Sequence, residues 1–306
     1  QDEVALPFVA DYRMKGLFFV FVKSGGIDFC QTYKRIKTFR LIKEIRNFNV
    51  KKYDLVISDF EPITAWAARL QGVKCIGLSN QAATLHPMAP KPKSSDTLGK
   101  IILEKYAPTE DQYGFHFKSL SETIFTPIIR KEIRQAKISN RGHITVYLPS
   151  YDDEKISKKL NRFELTQWHV FSKHCKKAYV NGNVEVRPIE GKRFLDSMAS
   201  SNGVLCNAGF GTTSEALYLG KKLMVIPMKK QFEQHCNAAM LEEMGVSTMK
   251  SMKKKHFDKL EQWLHHGQPV SVQYPDQTAS IVQRILSKHS VRAVQPAREY
   301  LSLATA

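Results

Sequence analysis

The sequence predicts an α/β protein built from doubly wound, mostly parallel sheets in two domains, and three observations predict it. Residues 53–57, Tyr-Asp-Leu-Val-Ile, form an apolar run of strand length. A helical segment over 62–70, a Gln71-Gly72 stop and a second apolar run over 74–78 complete a β-α-β unit. The same rhythm returns after residue 140. A chain of 306 residues is long enough to bury two cores. The domains are expected at 1–140 and 141–289, with 290–306 as a tail or a return helix.

In the first domain, residues 12–14 and 17–22 read as a strand and a hydrophobic loop closed by Gly25-Gly26. Residues 32–46 carry Ile36, Phe39, Ile42 and Ile45 at helical spacing, and the Lys- and Arg-rich opposite face reads as solvated. Asp59, Glu61, Ser79, Asn80 and Gln81 stand just past the predicted strands, where ligands of doubly wound sheets collect. Asp59 and Glu61 are candidates to orient or replace the base that deprotonates an acceptor hydroxyl. Glu61 equally reads as a helix cap before Pro62. The loop over 82–95 mixes Pro, Met and Lys, which suits either a lipid-facing lip or a plain surface loop. A helix is expected over 98–106, a last strand region over 124–129, and a basic helix or linker over 130–137. Ser139-Asn140-Arg141-Gly142 then marks the boundary.

The second domain opens with strands expected over 143–148, 166–171 and 184–188, with Asp152 capping the helix between the first two. Lys173 follows the second strand, where it can reach a phosphate or simply be solvated. The stretch from Gly203 to Ala239 carries the functional signal. An apolar strand at 203–206 runs into Asn207-Ala208-Gly209-Phe210-Gly211-Thr212-Thr213 and then a helix over 213–219. A small-residue loop ahead of a helix lets backbone N–H groups and the positive end of the helix dipole meet an anion, with diphosphate the natural guest. Glu215, further along the helix, is placed to accept ribose hydroxyls. A second helix is expected over 232–244, with Gly245 as its stop.

Gly209-Phe210-Gly211-Thr212-Thr213-Ser214-Glu215, then Leu223-Met224-Val225-Ile226-Pro227, then Glu233-Gln234-His235-Cys236-Asn237-Ala238 together resemble the donor-site signature of GT-B nucleotide-sugar glycosyltransferases. The nearest families are the UDP-glycosyltransferases and the lipid-II-forming N-acetylglucosaminyltransferase. The resemblance implies two Rossmann-like domains facing a cleft. It assigns the diphosphate to the loop of Asn207, Gly209, Phe210, Gly211, Thr212 and Thr213, and the ribose to Glu215. It assigns the hexose to Glu233 and Gln234, on the helix that carries Asn237, and the nucleobase edge to the region of Arg187 and Ile189. Asn207 stands where plant-type enzymes often carry a histidine. The family's opening strand and Gly-rich loop, which ends in the usual catalytic histidine, is not recognisable, so the amino-terminal domain is expected to be incomplete. The reaction the resemblance implies is inverting transfer of a hexose, in the family's usual way from a UDP-sugar, to an acceptor hydroxyl, without a metal and with no cofactor beyond the sugar nucleotide. No Asp-x-Asp motif occurs, Asp152-Asp153 being the nearest pair. A UDP-sugar 2-epimerase of the same architecture, or a non-catalytic nucleotide-sugar binder, shares these features.

The net charge of +17 is divided almost equally between residues 1–140 and 141–306. Such a spread suits an anionic ligand or membrane surface, and no recognised motif points to a specific nucleic acid. The expected partners are a UDP-sugar donor and an acceptor for which a lipid is one candidate. Five cysteines without metal or redox spacing predict a reducing compartment, the cytoplasm or the inner face of its membrane.

Overall fold

A computed structural model describes residues 38–92, 97–229 and 231–289. The elements expected at 12–14, 17–22 and 290–306, and Lys230, lie outside the described residues. The first sheet is made of β1 (Val56–Ser58), β2 (Cys75–Ser79), β3 (Asp111–Phe115) and β4 (Ile124–Phe125), all parallel and in that order. Helices α1 (Thr38–Asn47), α2 (Pro62–Gln71), α3 (Asn80–Leu85) and α4 (Thr97–Lys105) precede or connect these strands. The expected strand over 124–129 shrinks to two residues, and β3 was not foreseen.

After α5 (Lys131–Arg134) the chain runs through β5 (Ile144–Tyr147), α6 (Asp153–Leu160), β6 (Trp168–Ser172), β7 (Tyr179–Asn181), β8 (Val184–Pro188), α7 (Gly191–Ser200) and β9 (Gly203–Cys206). Then follow α8 (Phe210–Tyr218), β10 (Lys222–Val225), α9 (Phe232–Glu243), β11 (Ser247–Thr248), α10 (Phe257–His266) and α11 (Thr278–His289). The second sheet has the order β11-β10-β9-β5-β6-β8-β7, parallel except for the edge strand β7. From β5 the chain winds one way to β8, and from β9 the other way to β11. The winding therefore reverses between β5 and β9, which opens a crevice at their carboxyl ends.

Local chemistry explains the elements. Glu61 accepts from Ile63 N at 2.8 Å and Thr64 N at 2.7 Å, Pro62 opens α2, and Gly72 closes it at φ 67°. Strands β9 and β10 are buried along their whole length. Their side chains alternate between two cores. Val204, Leu217, Met240 and Leu241 pack on one face of the sheet with α8 and α9. Leu205, Met224, Ile156, Leu160, Leu260 and Trp263 pack on the other with α6 and α10.

Two packings cross the expected domain limits. Ile129 and Ile133, on the connection, are buried in the second domain's core. Ile281 and Ile285 of α11 pack on Ile76, Tyr113 and Phe125 of the first sheet, and Tyr113 Oη meets His289 Nε2 at 2.8 Å. The helix that returns to the first sheet is thus α11, which the sequence reading assigned to the second domain.

Gly203 is close-packed: a Cβ there would lie 2.5 Å from Lys222 Cγ and 2.9 Å from the Lys222 carbonyl oxygen. Backbone cannot yield as a side-chain tip can. Gly203→Ala is expected to lower stability by about 1–3 kcal/mol, the usual range for overpacking, read as a fall in Tm. An unchanged Tm would mean that β9 and β10 separate freely.

Candidate active site

The crevice at the switch point is lined by the turn from β9 into α8. That helix starts earlier than the sequence suggested, at Phe210, with Gly209 as its cap and no side chain accepting from its first turn. Its early N–H groups are therefore left to an outside acceptor. Gly211 is exposed and Thr212 half-buried, so both are open to such a guest.

The residues beneath brace the turn, and four of those expected at the phosphate or sugar commit their side chains to it. Thr213 is fully buried, and its hydroxyl donates to Gly209 O at 2.6 Å, so it is not available to phosphate. Asn207 donates to Ile226 O at 2.6 Å and accepts from Ser150 Oγ at 3.2 Å, tying together the carboxyl ends of β5, β9 and β10. Asn237 is buried and donates to Ala208 O at 3.0 Å. Phe210 packs its ring on Phe117, 5.2 Å between centroids, rather than facing a ligand. These side chains fix the backbone that faces the crevice.

Glu215 lies on α8 and is largely covered, 14% exposed. Both carboxylate oxygens accept from Arg130, at 2.6 Å from Nε and 3.1 Å from Nη2. Each oxygen keeps a second lone pair, so the fork orients the carboxylate without saturating it. Arg130 caps the short helix on the connection between the sheets. The sequence placed it only in a basic helix or linker, with no partner.

Glu233 and Gln234 open α9. Asn80 Nδ2 donates to Glu233 Oε1 at 2.8 Å and Gln81 Nε2 to Oε2 at 3.3 Å, both from the first domain. Burial raises the Glu233 carboxyl above its ordinary range, opposed by Gln81, Asn80 and Asn237, and the charge of Asp59 raises it further. Glu233 therefore joins the two domains across the cleft. Gln234 is buried and accepts from Met228 N at 2.9 Å, which leaves only its amide nitrogen, near Gly209, for a ligand.

Asp59 follows β1 and is exposed, while its packed surroundings raise its carboxyl above the usual value. The next residue, Phe60, has φ 52°, alone among described non-glycine residues. A bulky side chain in the left-handed region is strained, and such strain concentrates at working sites. Glu61 takes the capping role that the sequence also offered: both of its carboxylate oxygens accept from the first turn of α2.

The remaining expectations divide. The Arg187 side chain is paired bidentately with Glu185 at 2.8 and 2.7 Å on its own strand, which leaves the expected nucleobase contact to the backbone of this segment. Ile189 is 40% exposed and Lys173 is exposed, and neither is drawn toward α8 by a contact. Asp152 caps α6 and Asp153 accepts from Tyr179 Oη, so that acidic pair is committed to structure. His116, beside Phe117 at the end of β3, is buried, and burial lowers its pKa to about 4, helped by Lys91. Its Nδ1 accepts from Phe117 N at 2.9 Å, which leaves the proton on Nε2.

A family model described as glycosyl transferase family 1 matches residues 28–266. No match is found among curated protein sequences. Among solved structures, the chain is similar to the glycotransferase of kitacinnamycin, with 12% identity, a TM-score of 0.55, and 90% of this chain and 82% of that one covered. It is similar to UGT2 of Phytolacca americana complexed with UDP-2fluoro-glucose and pterostilbene, with 13% identity, a TM-score of 0.51, and 90% and 79% covered. It is also similar to UGT89C1 of Arabidopsis thaliana complexed with UDP, with 9% identity, a TM-score of 0.50, and 85% and 74% covered. Identities this low carry the fold alone.

Proposed function

The chain belongs to glycosyl transferase family 1 and is a glycosyltransferase of the GT-B fold, and from that premise we propose that it transfers a hexose from a UDP-sugar to an acceptor hydroxyl. The observation that carries the donor side is the uncapped start of α8 at the switch point, with Glu215 on the same helix. Diphosphate there meets free N–H groups and the positive dipole end, and these stabilise the charge that grows on the leaving phosphate. The ligands of the similar plant structures, the sugar nucleotide UDP-2fluoro-glucose in one and UDP in the other, fit this donor class.

Glu233 is proposed to accept hexose hydroxyls, with the Gln234 amide beside it. Asp59 is the proposed base or its orienting partner. It takes the acceptor proton as the new oxygen–carbon bond forms and the bond to phosphate breaks. Attack from the face opposite the diphosphate inverts the anomeric carbon.

The loop before residue 93 exposes Met88 at 66%, while Lys91 turns inward to Thr84 O and His86 O. An exposed apolar tip suits a lipid acceptor presented at a membrane, which the enzyme is proposed to contact peripherally. No helix among the described residues is long and apolar enough to cross a membrane.

Calorimetry with UDP and with a panel of UDP-hexoses tests the donor class, and mass spectrometry of products formed on lipid extract tests the acceptor. Absence of UDP binding would reject the reading. Because main-chain amides carry the leaving-group charge, turnover is expected to survive a chelator undiminished; its loss, restored by a divalent ion, would show a metal-assisted departure.

The raised carboxyl of Glu233 sets a further expectation. Protonation removes an acceptor, so affinity for the UDP-sugar should fall on acidification, beginning above the ordinary glutamate range, while that for UDP stays level. Glu233→Gln should flatten that dependence. Parallel pH curves for both ligands would remove the hexose role.

A further inference from the structure

The second sheet separates two helix layers. The proposed donor residues ride on α8 and α9, on one face, and the other face is covered by α6 and α10. On the outer side of that second layer, Lys155, Lys158, Lys159, Arg162, Lys254 and Phe257 line an open groove of about 390 Å³. The Arg162 guanidinium sits over the Phe257 ring at 5.7 Å, and the Phe163 and Phe257 rings meet edge to face at 5.4 Å. On the same turn, Leu165 is 98% exposed. Burial and then the charges of Lys255, Lys250, Lys259 and Lys253 hold His256 below its usual pKa, so the positive field extends along the segment that leads into α10. Among the described residues none of these cations is paired with a carboxylate.

Unpaired like charges at this density repel one another, and the donor reaction makes no use of them, because the sheet stands between. A counter-charge spread over an area offsets the repulsion better than a single nucleotide. The groove also has an apolar component. The exposed Leu165 beside the groove and the lysine stems can settle among acyl chains while the ammonium groups stay at headgroup level. A nucleic acid would take the charge and leave Leu165 in water.

We propose that this α6/α10 face docks the enzyme on the anionic lipid headgroups of a membrane. The inference adds to the proposed membrane contact at the Met88 loop a second, charged surface on the other domain, and rests on that contact, not on the donor site.

Co-sedimentation with vesicles of phosphatidylcholine, with and without phosphatidylserine, tests it. The chain is expected to bind the anionic vesicles alone, and to be released as salt approaches about 1 M, where the screening length is about 3 Å. Lys158→Glu, Lys159→Glu and Lys254→Glu together should weaken this by roughly a hundredfold or more, since each lysine near such a surface contributes about a factor of five. The same charge change at Lys43, Arg46 and Lys105 should leave most of it. UDP calorimetry on the groove variant should match the parent, which shows that the variant is folded. Leu165→Asn should weaken vesicle binding and leave retention on duplex RNA unchanged.

If the parent chain ignores anionic vesicles, the membrane contact and this surface both fall. If the groove variant binds vesicles like the parent, or the control variant loses binding equally, only this surface falls. Tighter retention on duplex RNA than on vesicles at equal salt would overturn the lipid assignment in favour of a nucleic acid.

Discussion

Glu215→Ala is expected to weaken UDP binding by about 1.5–3 kcal/mol, the usual loss for a hydrogen bond to a charged group. The site explains why the loss should be direct. Glu215 is fixed by Arg130 in a two-point fork, so its remaining lone pairs have a defined direction and ribose hydroxyls meet an ordered acceptor. The same pair invites a rival explanation, in which the variant merely loosens the connection between the sheets. Magnitudes decide against it. Arg130 is 49% exposed, and ion pairs with a solvated partner contribute about 0–1 kcal/mol to stability. Thermal unfolding should therefore shift little while calorimetry records the full loss. A large fall in Tm with unchanged UDP affinity would make Glu215 a structural residue and leave the ribose without a partner.

Much of this site was legible because its residues are close in the chain. The apolar strand, the small-residue turn and Glu215 fall within one β-α unit, so composition alone marks the crevice. The start of α8 was misjudged for a physical reason: Gly209 and Gly211 read as loop, yet Gly209 serves only as cap and helix begins at Phe210. Thr213 was expected in the phosphate loop, yet it lies inside the helix, where its N–H and its hydroxyl both donate to Gly209 O. The strand β3 hid because Asp-Gln-Tyr-Gly-Phe has neither an apolar run nor alternation. Its Gly114 is required by the third dimension, since a Cβ there would lie 2.8 Å from Ala83 N. Arg130 with Glu215, and Asn80 and Gln81 with Glu233, are pairs 85, 153 and 152 residues apart. Nothing local announces such contacts. They follow from how two sheets are set against each other, as does the return of α11 to the first sheet.

Asp59→Asn is expected to lower turnover by roughly 10²- to 10⁴-fold, the usual contribution of a positioned acid–base group, with donor KM little changed. Asp59 stands just past β1, and its charge adds to the burial that raises the Glu233 carboxyl, so the two carboxylates sense one another. Phe60 points the same way. Holding it at φ 52° costs about 1–3 kcal/mol, which the Phe60–Tyr106 ring contact at 4.9 Å and the Glu61 cap sustain. Phe60→Gly removes that strain but also the ring's packing on Tyr106 and the first domain's core, so Tm should fall, while Asp59 is left to wander and turnover drops. The pH profile supplies the sign. A base works only when ionised, and the Asp59 carboxyl is raised, so turnover should decline on acidification from a higher pH than an ordinary aspartate would give. In Asp59→Asn the small residual rate should lack that decline. Turnover near the parent value, with the acid limb intact, would hand the base's role to another group and reduce Asp59 to the wall of the cleft.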